Sequence, residues 1–331
     1  MNSFGRIFRV SIFGESHGDG AGVVIDGCPA GLLLSVDDFL ADLERRKGGK
    51  QKGTTPRQEE DIPVIRSGLF NGKTTGFPIM IFFENKNVRS EDYQKQRSIP
   101  RPGHADWVAH QKFGGHEDYR GGGHFSARLT TGLVAAGVIA KKLMKDIVIN
   151  AAVTEIAGET DLEKGLQKAI DAKDSVGGIV ECRVNGLPVG LGEPYFDSLE
   201  SSLAHILFSI PAVKGVEFGA GFAATKMFGS EHNDAIETMD GKTRTNHAGG
   251  IVGGISNGNE LVFRLAVKPT SSTPRQQNSL NWDTGKTEDF SIKGLHDLCV
   301  ALRSPVIVEA AAAVTLVDFM LLEQRIKRIL S

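Results

Sequence analysis

Bulky apolar positions alternate with small or polar ones through Phe8-Arg9-Val10-Ser11-Ile12-Phe13, as in a strand with one buried face. Residues 22–26 read the same way, with a loop over residues 14–22 between the two. At Ser35 the period becomes helical. Ser35 is a capping residue with an acid, Asp38, three positions on, and Leu40, Leu43 and the stem of Arg46 share one face until Gly48-Gly49 stops the helix. Residues 47–61 are polar, with Gly, Thr-Thr and Pro, and are expected to be a mobile loop that closes over a site. Residues 79–83 form a strand. From residue 98 to 123 periodicity is lost among Gly, His, Arg and Pro, and a long stretch without an element in a compact domain marks function. Residues 127–144 are a helix whose small residues Ala135, Ala136 and Ala140 permit close packing. Residues 160–172 are an amphipathic helix, 178–184 a strand, 199–209 a helix, and 213–222 and Leu261–Val267 strands. Residues 305–329 make a long helix, apolar over its first half. The order of strands, glycine-rich loop and alanine-rich helix occurs twice, so the helices from Ala127 and Pro305 are read as counterparts. No linker divides the chain, and residues 1–331 are taken as one domain.

Composition narrows the class. Of 331 residues 40% are hydrophobic, enough for a sizeable core, and 40 are glycine against 12 proline, which points to tight turns and close backbone approaches, not to disorder. With 38 basic and 40 acidic residues the net charge is −2, which argues against nucleic acid as a partner. No run of 18 apolar residues predicts a membrane span, and Met1-Asn2-Ser3-Phe4-Gly5-Arg6 lacks the layout of a secretion signal. Cys28, Cys182 and Cys299 form no CxxC pair, so neither a zinc knuckle nor a disulfide framework is expected, and a reducing cytoplasm fits best.

Candidate chemistry sits in the glycine-rich loops. Gly14-Glu15-Ser16-His17-Gly18 follows a strand and sets a carboxylate, a hydroxyl and an imidazole side by side, as proton transfer near neutral pH requires; a turn with a solvated histidine is the competing reading. Arg101-Pro102-Gly103-His104-Ala105-Asp106 pairs an anion-binding guanidinium with a second imidazole, against a plain Pro-Gly turn. In Asp118-Tyr119-Arg120-Gly121-Gly122-Gly123, followed by His124-Phe125-Ser126-Ala127-Arg128, three glycines precede a helix and expose N–H groups to an anion, flanked by Arg120 and Arg128. It is not a Walker loop, and a flexible loop is the alternative. Lys268-Pro269-Thr270-Ser271-Ser272 offers an ammonium and three hydroxyls to a phosphate ester or forms a polar turn. Asn246 opens a stretch whose glycines, Gly253 among them, suit a flat ligand or tight packing equally. His296-Asp297 reads as an acid–base pair or a capping turn. Arg46, Lys52 and Arg57 read as a solvated charge run unless a site claims them. His110, His116, His205, His232 and His247 have no metal-ligand spacing and are taken as structural or solvated; no metal is expected.

Taken in order, these strings resemble the chorismate synthase family from Phe8 to about Arg325, together with Asp26-Gly27, Arg45-Arg46, Gly190-Leu191-Gly192-Glu193-Pro194 and Val213-Lys214-Gly215-Val216-Glu217. The resemblance implies an α+β chain, a β-α-β sandwich with internal pseudo-duplication, assembled as a homotetramer. It implies an anti-1,4 elimination of phosphate and a ring hydrogen from 5-enolpyruvylshikimate 3-phosphate to give chorismate, with reduced flavin mononucleotide (FMN) and no net oxidation. An external flavin reductase or anaerobic conditions would keep the flavin reduced, unless the enzyme does so itself with NADPH. By the same resemblance His17 protonates the leaving phosphate, His104 manages the charge of the reduced flavin, and Asp297 lies near its N5. Ser16, Arg46, Lys52, Arg101, Arg120 and Arg128 hold the substrate anion. His124, Phe125, Ser126, Pro211, Ala212, Asn246, Gly253, Lys268, Pro269, Thr270, Ser271 and Ser272 hold the cofactor.

The chain departs from the family pattern at four places. Lys52 stands for a common arginine, His124-Phe125-Ser126 for Arg-Ser-Ser, Pro211-Ala212 for Asn-Ala, and Leu295 for the arginine of Arg-His-Asp. A leucine cannot pair with an anion, so Leu295→Arg is expected to tighten FMN or substrate binding in titrations, with His124 as a local substitute in the present chain. Three rival readings remain: a flavin reductase, which would consume NAD(P)H without releasing phosphate; a chelator-sensitive phosphohydrolase on His17, His104 and His124; and a catalytically impaired homologue that binds FMN and leaves the substrate intact.

Overall fold

In the computed structural model, which describes residues 2–49, 52–55, 59–86, 97–292 and 296–326, the alternating N-terminal segments are neighbours in one antiparallel sheet. Its strands are β1 (Ser3–Phe4), β2 (Arg9–Gly14), β3 (Gly20–Asp26), β4 (Val64–Ile65) and β7 (Ile79–Glu84), in the order β1-β2-β3-β7-β4. β2 and β3 pair from Arg9 with Asp26 to Gly14 with Ala21, so the predicted loop shrinks to a tight turn over residues 15–19. Ala21, Val23 and Ile25 of β3 and Ile79, Ile81 and Phe83 of β7 are fully buried. Helix α1 (Asp37–Arg46) starts near the predicted place, but its cap position is Val36 and not Ser35 and no side chain caps it; only the acid of the predicted pair acts, with the Ser35 N–H donating to Asp38 Oδ2 at 2.8 Å. A small hairpin, β5 (Leu69–Phe70) and β6 (Lys73–Thr74), precedes β7.

Two helices follow. α2 (Asp106–Phe113) falls where no element is expected. Only its Ala109 is buried while Trp107, Val108 and Phe113 are exposed, so it carries no amphipathic period to read. α3 (Thr130–Leu143) is the predicted alanine-rich helix, shortened at its start by a 3₁₀ turn at Ala127–Leu129, and it packs on β2, β3 and β7.

The second half repeats this plan. β8 (Val148–Ile156), α4 (Leu162–Ala172), β9 (Gly178–Asn185), α5 (Leu199–Leu207), β10 (Val213–Phe218), the short α6 (Gly229–His232), the hairpins β11 (Ile251–Val252) with β12 (Ile255–Ser256), β13 (Leu261–Val267), and β14 (Gln277–Asn281) with β15 (Lys286–Phe290) lead to α7 (Pro305–Leu322). The second sheet runs β10-β13-β9-β8, again antiparallel. β8 and the β14–β15 hairpin are not anticipated from sequence, and the strand predicted over residues 213–222 stops at Phe218 before a 3₁₀ turn, Gly221–Lys226. α7 backs the second sheet as α3 backs the first, and the two helices pack on each other at the centre, where a Cβ on Gly137 would overlap Ala310. The layers are therefore sheet, helices, sheet.

α7 alters one expectation. Its 18 residues have a mean hydropathy of 2.0, enough by length and composition to cross a membrane, yet 78% of it is buried within the protein. It also carries two buried acids. Glu309 accepts two hydrogen bonds from Arg45 (2.8 and 2.7 Å), one from Lys141 (2.9 Å) and one from the Ala151 N–H (3.0 Å). Asp318 accepts the N–H groups of Arg6, Ile7 and Phe8 at 2.8, 2.7 and 2.8 Å and so anchors the chain entering β2. A helix apolar on all sides with satisfied charges is the core of a globular protein.

Candidate active site

The turn after β2 carries Ser16 and His17, both buried. Asn85, just past β7, fastens it by donating from Nδ2 to the carbonyls of Glu15 and Gly18 at 2.9 Å each. The Ser16 N–H donates to the Gly123 carbonyl at 3.1 Å, which ties the turn to the triple glycine. Gly121 has φ +59°, and a Cβ there would overlap the His17 ring; a Cβ on Gly122 would sit 3.0 Å from His104 Cε1. The glycines thus let one strip of backbone pass between the two histidines. At Gly122 this closer role replaces the expected presentation of an N–H group to an anion. Gly122 and Gly123 are buried, and the Gly122 N–H is taken by the Tyr119 carbonyl at 3.2 Å.

His104 is held from one side. Its Nδ1 lies 2.6 Å from Asp106 Oδ1, and Asp106 also accepts from Arg101 Nε and Nη2 at 2.7 Å each and from the Arg101 N–H at 2.9 Å. The same Nδ1 lies 3.0 Å from Arg101 Nη2, so a carboxylate, which only accepts, and a guanidinium, which only donates, meet at one ring nitrogen. Burial by itself would raise the Asp106 carboxyl, but the hydrogen bonds from Arg101 and His104 hold it well below the usual carboxylate range. Arg101 thereby spends much of its fork on Asp106, with Nη1 turned to Ser272 Oγ at 3.5 Å.

A second charged centre lies under the turn. Asp61, buried and at φ +51°, accepts from Arg46 Nη2 at 2.7 Å and from Arg128 Nη1. Two guanidinium groups face this one carboxylate. Burial lowers Arg46 to about 10, Asp61 opposes that, and Arg303 and Arg128 add to it. Arg46 Nε is buried and has no hydrogen-bond partner among the described residues. Arg303 donates to the Arg46 carbonyl and to Asp297 Oδ2, both at 3.0 Å, while Asp297 Oδ1 accepts the Thr55 N–H at 2.8 Å. Burial, then Arg101, lower His296 from its ordinary value, and its Nε2 also lacks a partner among the described residues.

These groups line one cavity of about 1190 Å³. Among the described residues seven cations (Arg46, Lys47, Arg101, Arg128, Lys214, Lys268, Arg303) face three acids there, although the whole chain is net negative. Five of the nine histidines border it: His17, His104, His124, His205 and His296. His205, read as structural from sequence, is among them. Ser16, Phe125, Ser126, Pro211, Ala212, Pro269, Thr270, Ser271, Ser272 and Asp297 line it as well. His124 Nδ1 donates to the Gly14 carbonyl at 2.8 Å, which leaves Nε2 for the cavity. Lys268 Nζ donates to the Gly103 carbonyl and Ser271 Oγ at 3.0 and 2.9 Å, bridging two predicted loops.

Four predicted residues lie elsewhere. Arg120 is turned away onto Asp118, at 2.8 and 2.7 Å, because a carboxylate two positions earlier captures its fork. Lys52 is exposed and outside the lining. Asn246 donates to the Glu260 carbonyl at 2.8 Å, and Gly253 sits at the tip of the β11–β12 hairpin with open space around it. Leu295 and Arg57 lie outside the described residues. Sequence reasoning missed Asp61, Asn85 and Arg303. Only Arg303 has a local signal: a cation two residues before a helix N-terminus opposes the helix dipole and calls for a reason.

A positively charged cavity lined by several imidazoles and by apolar side chains has the make-up of an enzyme site for a small polyanion. The chorismate synthase family model matches residues 8–321. The chain is 67% identical to the chorismate synthase of Chitinophaga pinensis over 99% of both chains, and 44% identical to that of Dehalococcoides mccartyi, again over 99% of both. A crystal structure of chorismate synthase superposes with a TM-score of 0.74 at 25% identity, covering 96% of this chain and 93% of that one. The chain belongs to the chorismate synthase family. Its activity is that of a carbon–oxygen lyase: loss of phosphate and a ring hydrogen from 5-enolpyruvylshikimate 3-phosphate gives chorismate, and the rival reductase and impaired-homologue readings are not favoured.

Proposed function

We propose that the cavity holds the substrate over Arg46, Arg128 and Arg303 and a reduced FMN along its apolar wall. One observation carries the reading: two buried guanidiniums share the single carboxylate of Asp61, with Arg46 Nε still lacking an acceptor. Buried charge in excess of its partners calls for a counter-ion, and a substrate with two carboxylates and a phosphate supplies it. The volume exceeds the roughly 300–1,000 Å³ usual for one small ligand, in keeping with two molecules bound together.

The residues present suit a flavin. The buried Thr270 Oγ1 and His296 Nε2 have no hydrogen-bond partner among the described residues, and both border the cavity beside Phe125, Ile210, Pro211 and Ile292. Polar edges of a flat ring would satisfy them while its faces meet the apolar wall. Bound in reduced form, FMN supplies reversible electron donation as the carbon–oxygen bond breaks, without net oxidation.

The chain's own residues do the rest. His17, held by Gly121 and the Asn85 clasp, gives a proton to the departing phosphate oxygen, which lowers the cost of its leaving. His104, held at Nδ1 by Asp106 and Arg101, offers its other edge to the flavin side. Asp297, fixed by Arg303 and the Thr55 N–H, is the acceptor for the ring proton. Burial keeps water from competing for the guanidiniums.

Anaerobic incubation with dithionite-reduced FMN and 5-enolpyruvylshikimate 3-phosphate should yield chorismate and phosphate in equal amounts. Absence of product under these conditions rejects the proposal. Substituting NADPH for dithionite tests whether the chain reduces its own flavin. We further propose a homotetramer in the cytoplasm, supported by the exposed Phe222, Phe228 and Met239 and by three buried cysteine thiols, which suit a reducing compartment. Light scattering at a monomer mass would reject the assembly.

A further inference from the structure

His104 has a second cavity on its other side. This space, of about 140 Å³, shares His104, Ala105 and Phe125 with the large cavity. The titratable and charged groups facing it are Arg97, Asp106, His110, Glu117, Asp118 and Tyr119, along with His104 itself.

Two of these form a built pair. The His110 ring stacks on Trp282 with centroids 4.6 Å apart and planes 17° from parallel, and its other side meets Gly115, where a Cβ would lie 3.1 Å from Cε1. Its Nδ1 is 3.3 Å from Glu117 Oε1. The other oxygen, Glu117 Oε2, is buried and has no hydrogen-bond partner among the described residues. A buried carboxylate oxygen in a polar space is satisfied by water, and at about 30 Å³ per molecule the cavity has room for roughly four. Side-chain exposure is 38% at His110, 14% at Glu117 and 11% at Asp106, so the ionisable groups of this cavity run from the surface to Asp106, which touches His104 Nδ1; His104 itself, 20% exposed, also borders the large cavity that the flavin would fill.

We propose that this cavity is a water-filled proton conduit through which His104 exchanges its proton with solvent, with Glu117 and His110 as positioning residues that order the water. The proposal rests on the reading of His104 as the flavin-side histidine. A proton leaves His104 at Nδ1, the nitrogen not turned to the flavin, passes by way of the Asp106 carboxylate to a cavity water, is taken by Glu117 Oε2, and reaches bulk water beside the half-exposed His110. The reverse path recharges His104. Each group returns to its starting state, and no electron moves.

The test uses the full chain with reduced FMN under anaerobic conditions. Glu117→Gln should lower kcat about tenfold, less than the ~10²-fold of a direct acid–base group, with KM unchanged. It should also enlarge the solvent isotope effect on kcat and shift its pH profile. Formate should restore turnover to Glu117→Ala by entering the space the side chain leaves. Unchanged kcat, isotope effect and pH profile in Glu117→Gln, beside an impaired His104→Ala, overturn the conduit alone. Normal turnover in His104→Ala rejects the role of His104 and the conduit with it. A high-resolution crystal structure with the cavity dry also overturns it, whether or not the variants fold.

Discussion

His17 and Gly121 show how much a single position can disclose. His17 is legible as an acid–base candidate because an imidazole beside a hydroxyl and a carboxylate in a glycine-bounded loop suits proton transfer, although a turn with a solvated histidine reads the same. What the chain does not disclose is that Gly121 exists for His17, more than a hundred residues away. Gly121→Ala should therefore abolish most chorismate formation, since the new Cβ needs the place of the His17 ring and a strained backbone, while Gly229→Ala, with open space around it, should leave turnover unchanged. Equal activities would separate the glycine from the histidine. His17→Ala should lower kcat by roughly 10²-fold or more with FMN affinity intact, read by anaerobic turnover and flavin titration. A loss confined to flavin affinity would contradict its place at the leaving group. Asp61 had no signal in the sequence, because its meaning is two arginines that only folding brings to it. Arg120 misled in the opposite sense: its partner, Asp118, is two residues away and captures it.

Among elements, those with a strong period and a buried face were readable, and those without were not. β13 alternates strictly, and its bounds agree with the sequence reading. α2 hides because it buries one alanine, and β14–β15 because both strands are largely polar and contain no buried residue. The repeat of sheet and alanine-rich helix is visible in the sequence; that the two helices face each other at the centre is not. At Gly137 they approach so closely that a Cβ would overlap that of Ala310. Gly137→Ala should overpack this contact and destabilise the fold by about 1–3 kcal/mol, despite the better helix propensity of alanine, measured by urea denaturation. A gain in stability would mean that α7 can shift away.

For the molecule as a whole, the buried acids set the response to pH. Burial would raise Asp61, Asp106 and Glu309, but their arginine, lysine and histidine partners outweigh it, and all three lie below their ordinary values. Folded values depressed below the unfolded ~3.9–4.3 contribute stability that is complete above that range and is lost as pH falls through the folded values. The urea midpoint should therefore decline slightly from pH 7 to 5, where the lowered His296 makes the folded state the weaker proton binder, and drop steeply below about 4; a fall completed above pH 5 would assign the linkage to histidines instead. Sequence by itself determined the strand and helix periods, the glycine-rich loops, the reactive side chains within them and, through the order of those strings, the family. Only the tertiary structure decided which charges act together. Asp61 joined Arg46 to Arg128, Arg303 joined Asp297 to α1, and Arg120, Lys52, Asn246 and Gly253 were left outside the cavity. The reason is range: periodicity and turn chemistry act over a few neighbours and are written locally, whereas a buried ion pair depends on which distant residues the packing of α3 against α7 brings to the same few ångströms.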